Sequence, residues 1–213
     1  MNVQLKLPCR LVCSGCSGSG KSYFVQKLLT SGAEWLDPGP FEHVVWCYSE
    51  YQESLMTELS SKLGSKIQFQ EGLPENWNDV TKPGCRNAIV IDDQMEEVAK
   101  GDKVTKLFTR ASRHRGISVF LLVQNLFYQG LRTISLNSSY IVLFKSPRDQ
   151  SMVTTLAKQM FPGHSKFLQE CYEDAVNKKT HGHLFLDLHP ESPIELRVRS
   201  GMLTPQPYVY LRK

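Results

Sequence analysis

One run of eight residues, Gly15-Cys16-Ser17-Gly18-Ser19-Gly20-Lys21-Ser22, limits what this chain can become more than any other feature. It has the spacing G-x-x-x-x-G-K-[ST] and follows an apolar segment, Arg10 to Ser14. Behind it Phe24, Val25, Leu28 and Leu29 recur at helical spacing, up to about Gly32. A strand that enters a glycine-rich turn and leaves as a helix is built to hold an anion. The glycines let the backbone curl until its N–H groups face inward, and the helix N-terminus adds partial positive charge at the same place. Lys21 is spaced to reach the β- and γ-phosphates of a nucleoside triphosphate, and the Ser22 hydroxyl to ligate Mg²⁺. The expected cofactors are therefore ATP and Mg²⁺.

The rest of the chain alternates short β-rich runs with amphipathic helices, which predicts an α/β fold with a central parallel sheet flanked by helices. After a break at Asp37-Pro38-Gly39-Pro40, His43 to Ser49 reads as a second strand. A helix over 51–63, an extended piece from Ile67 to Gln70 and a Pro/Gly-rich loop from Gly72 to Gly84 follow. Ala88 to Ile91, Ile117 to Val123 and Tyr140 to Phe144 are continuous apolar runs, the pattern of strands covered on both faces. A single helix is expected over about 95–112, and two more carry Val153, Leu156, Ala157, Met160 and then Leu168, Cys171, Tyr172, Ala175. Beyond Gly182 two strands are expected, Leu184 to Leu188 and Leu196 to Val198. The domain reading is a nucleotide-binding core over 1–160, with 161–213 adding a helix and strands to the same domain.

Three further constellations bear on chemistry. Asp92 and Asp93 close the run Ala-Ile-Val-Ile, at the carboxyl end of a buried strand, where open α/β sheets bind ligands. Asp92 would join the Mg²⁺ shell and Asp93 would polarise an attacking water; alone, the pair could also be solvated turn acids or helix caps. Gln124-Asn125 closes the strand Ile117 to Val123, either as a polar group that senses the γ-phosphate or as a plain strand-ending turn. Lys103, Lys106, Arg110 and Arg113 recur at helical spacing and continue into His114-Arg115. That stripe reads as a solvated face, as an arginine finger for a neighbour's nucleotide, or as a DNA-phosphate contact.

Other features exclude more than they propose. A net charge of +4 permits nucleic acid without arguing for it. Cys13 and Cys16 form a C-x-x-C that straddles the glycine loop without a second pair, which speaks against zinc. His181, His183, Asp187 and His189 would share one face of a strand by the period-two rule, and read as a solvated edge strand before a metal cluster. The first residues lack a secretory h-region and no apolar run reaches the ~18 residues of a membrane span. The expected setting is intracellular or virion-internal, with no membrane partner.

Taken together, GCSGSGKS, AIVIDD, LFTRASRHRGIS leading into VFLLVQNLF, and YIVLFKSPRD resemble the FtsK/HerA superfamily of P-loop ATPases. Within it they are most similar to the poxvirus-type DNA-packaging ATPases of Polinton/Maverick elements and adintoviruses, from about Pro8 to Met160. The resemblance implies a RecA-like (ASCE) core and an ATP-hydrolysing translocase that packages double-stranded DNA into a preformed capsid. It implies a ring of identical chains at a capsid or portal vertex in an infected host cell, in the nucleus rather than the cytoplasm. By the same resemblance Lys21 and Ser22 hold nucleotide and metal, Asp92 holds Mg²⁺, Asp93 activates water and Gln124 is the strand-end sensor. Arg113 is the implied trans-acting finger, with Arg115 and Arg110 in reserve. Asp93 stands where a longer glutamate is commoner. Two other readings of the same residues are a P-loop nucleoside or nucleotide kinase and a nucleotide-dependent scaffold for capsid assembly.

Overall fold

The computed structural model describes residues 4–111, 115–128 and 130–212. In chain order its elements are β1 (Leu5–Lys6), β2 (Arg10–Ser14), α1 (Lys21–Thr30), α2 (Gly32–Trp35), β3 (Leu36–Asp37), β4 (His43–Tyr48), α3 (Glu53–Leu63) and β5 (Ile67–Glu71). Then come β6 (Asn87–Asp92), α4 (Met95–Lys100), α5 (Lys103–Lys106), β7 (Ile117–Val123), α6 (Leu131–Leu136) and β8 (Tyr140–Phe144). The chain closes with α7 (Ser151–Met160), α8 (Ser165–Asn177), β9 (His183–Asp187), β10 (Val198–Ser200) and β11 (Tyr208–Val209).

Nine strands form one sheet in the order β11-β10-β9-β8-β2-β7-β6-β4-β5, and β1 pairs separately with β3. From β8 to β5 every pairing is parallel; β9, β10 and β11 add to the β8 edge in antiparallel fashion. Strand periodicity sends alternate residues to opposite faces. Leu11 and Cys13 of β2 pack with α1 and α3 on one side, through Phe24, Val25, Leu28 and Leu59. Val12 packs on the other side with α7 and α8, through Val153, Leu156, Leu168 and Tyr172. Both faces are thus covered, which is why β7 is buried along all of its seven residues.

The register is what positions a site. Ser14 lies opposite Val123 of β7 and Leu143 of β8, and Asp92 lies opposite Leu122. The glycine loop, Asp93 and Gln124 therefore all leave the sheet at the same carboxyl edge, with β7 between the other two strands.

Three expectations need correction. The helix over 95–112 is not continuous: α4 stops at Gly101, α5 restarts behind Asp102, and Leu107–Ala111 is a π-helical turn. A π turn shifts the helical register, so the α-helical spacing that begins at Lys103 and Lys106 does not continue unbroken through 107–111. The last expected strand begins two residues later, at Val198, behind a 3₁₀ turn over Ile194–Leu196. Finally, β9 is no solvated edge, since β8 and β10 flank it and Leu184–Asp187 are buried. His181 precedes that strand and His189 follows it, and among the described residues no three or more His, Cys, Asp or Glu side chains gather as a metal site.

Candidate active site

The loop Gly15–Gly20 joins β2 to α1, and its glycines are needed where they stand. A Cβ on Gly15 would come within 2.6 Å of Phe144 Cβ and 2.9 Å of Ser19 Oγ. Gly20, the residue capping α1, has φ 103, a left-handed conformation that side chains resist. No side chain caps α1 and its first turn holds no acid, so its N–H groups remain available to an anion. Cys16, Ser17 and Gly18 are exposed, while Ser19 and Lys21 are half-buried.

Lys21 folds back on its own loop, donating to the carbonyl oxygens of Gly15 at 2.8 Å and Cys16 at 3.0 Å. Burial lowers its pKa, with Asp92 and Asp93 pulling the other way. The Ser22 hydroxyl donates to Asp92 Oδ2 at 3.1 Å. Asp92 is only 6% exposed, and burial pushes its carboxyl up to about 6 despite the opposing pull of Ser22 and Lys21. Next to it Asp93 takes φ 53, a left-handed backbone that is strained for most residues but tolerated by aspartate. This turn carries its exposed carboxylate into reach of Gln124, whose Nε2 donates to Asp93 Oδ1 at 3.3 Å.

These side chains line a cleft of about 330 Å³ shared by Ser17, Gly18, Lys21, Ser22, Asp92, Asp93 and Gln124. So the residues expected at the phosphates, at the metal, at the water and at the strand end do come together. Arg113 lies outside the described residues. Arg115 is described, is exposed, and donates to Asn78 Oδ1. Two cleft residues went unread in the sequence, Tyr23 and Gln52, and a third, His181, was read only as one of the β9 histidines. Nothing near Gln52 signals a site and nothing near His181 signals a nucleotide site, whereas Tyr23 could have been noticed as an aromatic directly behind the lysine–serine pair.

The hard oxygens of Asp92 and Ser22 suit Mg²⁺, which takes one or two protein ligands and completes its shell with water and phosphate. Their arrangement at the mouth of an anion-binding loop fits a metal–nucleotide complex.

The sequence matches no family model and no curated protein. Solved structures give a clear answer on architecture. The DNA-packaging ATPase of Sulfolobus turreted icosahedral virus matches at a TM-score of 0.60 and 17% identity, over 88% of this chain and 94% of that one. The chain has a RecA-like P-loop NTPase fold. The genome-packaging NTPase of Sulfolobus turreted icosahedral virus 2, in complex with ATPγS, matches at 0.56 and 15% identity over 88% of this chain and 94% of that one. A KaiC-like protein of Pyrococcus horikoshii OT3 matches at 0.53 and 14% identity over 96% of this chain and 90% of that one. Against this P-loop NTPase frame, β2 carries the phosphate loop, β6 the acid pair, and β7 between them the polar strand end.

Proposed function

We propose that this chain is an Mg²⁺-dependent ATPase that drives double-stranded DNA into a viral capsid, working as a ring of identical subunits. The observation that carries the reading is the meeting of two contacts in one cleft, Ser22 to Asp92 and Gln124 to Asp93, within reach of Lys21. The first prepares a metal–triphosphate site; the second prepares an acid and an amide for water. The proteins with which it shares its fold include packaging ATPases of viruses, which supports genome packaging as the task. The sequence patterns point within that class to the poxvirus-type enzymes, and so to an infected cell and a capsid or portal vertex as partner.

The chain's own groups divide the work. Backbone N–H groups of 15–22 bind phosphate oxygens, and Lys21 exchanges its two loop carbonyls for them. Ser22 and Asp92 would hold Mg²⁺, which supplies charge neutralisation across the phosphates when bound. Asp93 accepts the proton of the attacking water, and Gln124 keeps that carboxylate turned into the cleft.

The deciding measurement is phosphate release with Mg²⁺–ATP, in the absence and presence of linear duplex DNA. Turnover that rises with duplex DNA is expected. Absence of hydrolysis under both conditions would overturn the ATPase reading. Transfer of phosphate to an added nucleoside would identify a kinase, and turnover indifferent to DNA would leave the scaffold.

A further inference from the structure

A second cavity lies behind the phosphate loop, between α1 and the C-terminal strands. It measures about 150 Å³, and Phe24, Phe144, Met202 and Leu203 give it apolar walls. Gly20, Tyr23 and His181 border both this cavity and the phosphate cleft, so the two are neighbours across one rim. His181 has a left-handed backbone, φ 58, and packs so closely on Gly20 that a Cβ there would lie 2.7 Å from its Cβ and Cγ. Tyr23 follows Ser22 directly and is 57% exposed, an unusual position for a large aromatic. The two ring centroids stand 6.1 Å apart, with the planes tilted by 36°. A planar ring between them needs roughly 3.5 Å on each side and near-parallel faces, so the exposed Tyr23 has to turn as well as move outward to admit one.

Deeper in, the His183 ring lies edge-on to Phe24, with centroids 4.9 Å apart. Its Nδ1 sits 3.1 Å from the His181 carbonyl, and its Nε2 is enclosed without a hydrogen-bond partner. A carbonyl can only accept, so Nδ1 carries the proton. Burial lowers the pKa of this imidazole, which keeps it neutral at neutral pH. In a neutral ring with Nδ1 protonated, Nε2 is an acceptor. It therefore holds an unpartnered lone pair enclosed at the cavity wall, suited to the exocyclic amine of adenine and unsuited to the O6 of guanine.

We propose that Tyr23, His181 and His183 form the base site of the nucleotide pocket and select adenine, the base stacking between Tyr23 and His181 with its amine toward His183 Nε2. This inference rests on the nucleotide reading of the phosphate cleft. The probes are therefore ADP, GDP and inorganic pyrophosphate, each with Mg²⁺, titrated calorimetrically. Pyrophosphate reports the phosphate cleft alone. In the wild type ADP is expected to bind at least about tenfold more tightly than GDP or pyrophosphate. Tyr23→Ala should weaken ADP by about tenfold and leave pyrophosphate within twofold, while Tyr23→Phe should keep ADP affinity. His183→Leu should bring ADP and GDP within about twofold of each other. ADP no tighter than pyrophosphate in the wild type, or ADP affinity unchanged in Tyr23→Ala, would overturn the base site with the phosphate cleft intact. Failure of all three probes to bind would remove the nucleotide reading, and the base site with it.

Discussion

Asp92 is a residue whose surroundings and task oppose each other. Six per cent exposed and raised to about 6, it holds a charge that the metal-free fold would rather not carry. At pH 7 the carboxylate is ionised in a site that favours the protonated form, so Asp92→Asn should make the metal-free protein more stable, on the order of 1–3 kcal/mol. The advantage should shrink as pH falls. Between about 6 and the unfolded value of 3.8 the wild type takes up a proton that the unfolded chain does not yet bind, and its relative stability rises. Urea titrations of both proteins at pH 7.5 and 5 test this, and equal midpoints at both values would show that burial does not strain this carboxylate. The same variant should lose Mg²⁺-dependent ATP binding, a trade of function against stability common at sites. Asp93→Asn should behave otherwise, binding Mg²⁺–ATP as before while turnover falls on the order of 10²-fold or more. If the two variants bind and hydrolyse alike, the division of labour between neighbouring acids is wrong.

Among the elements, the antiparallel extension β9–β10 contains the least expected interaction. Arg199 is 1% exposed, lies over Phe185 at 4.8 Å and donates to Asp187 at 2.6 Å. Removing one partner leaves a buried charge uncompensated, so Arg199→Ala should cost about 3–5 kcal/mol in denaturant titration. Replacing both, Asp187→Leu with Arg199→Met, should recover most of that loss. A double variant as unstable as the single would mean that packing, not charge, is at stake. This pair also explains what the sequence left hidden. An arginine reads as solvent-facing, yet Arg199 is buried in a strand that begins two residues later than the expected 196–198. By contrast Arg10–Ser14, Ile117–Val123 and Tyr140–Phe144 fall where their apolar runs put them, because strands covered on both faces need no alternation. The cleft was legible for a similar reason: phosphate loop, acid pair and strand-end glutamine each sit at a strand terminus, and a parallel sheet gathers such termini at one edge. His181 was not legible, since its place depends on a contact with Gly20 on a distant part of the chain, through a turn with no motif.

At the scale of the whole molecule, the question is where a second cation for the cleft comes from. Among the described residues lining the cleft, Lys21 is the one lysine or arginine, whereas charge on a transferring phosphoryl group is commonly met by a second cation. Arg115 is occupied with Asn78. In the ring reading, Arg113 of one subunit reaches the nucleotide of the next. Such a finger contributes on the order of 10³-fold or more to turnover, far beyond the loss of one surface charge. Arg113→Ala should therefore bind ATP normally and be nearly inactive, and wild-type specific activity should rise with protein concentration as subunits associate. Lys21→Ala should be inactive for the opposite reason, because its own phosphate site is disabled while its arginine is intact. Mixing the two inactive proteins should restore partial activity. At some boundaries an intact Lys21 site from one variant then faces an intact Arg113 from the other. Recovery should peak at intermediate mixing ratios and vanish toward either pure variant, a profile that no defect confined to one subunit can produce. With assembly verified by sizing, a flat profile at zero moves the finger to Arg115 or Arg110, and full activity of Arg113→Ala alone leaves the basic stripe as a solvated face or a DNA contact.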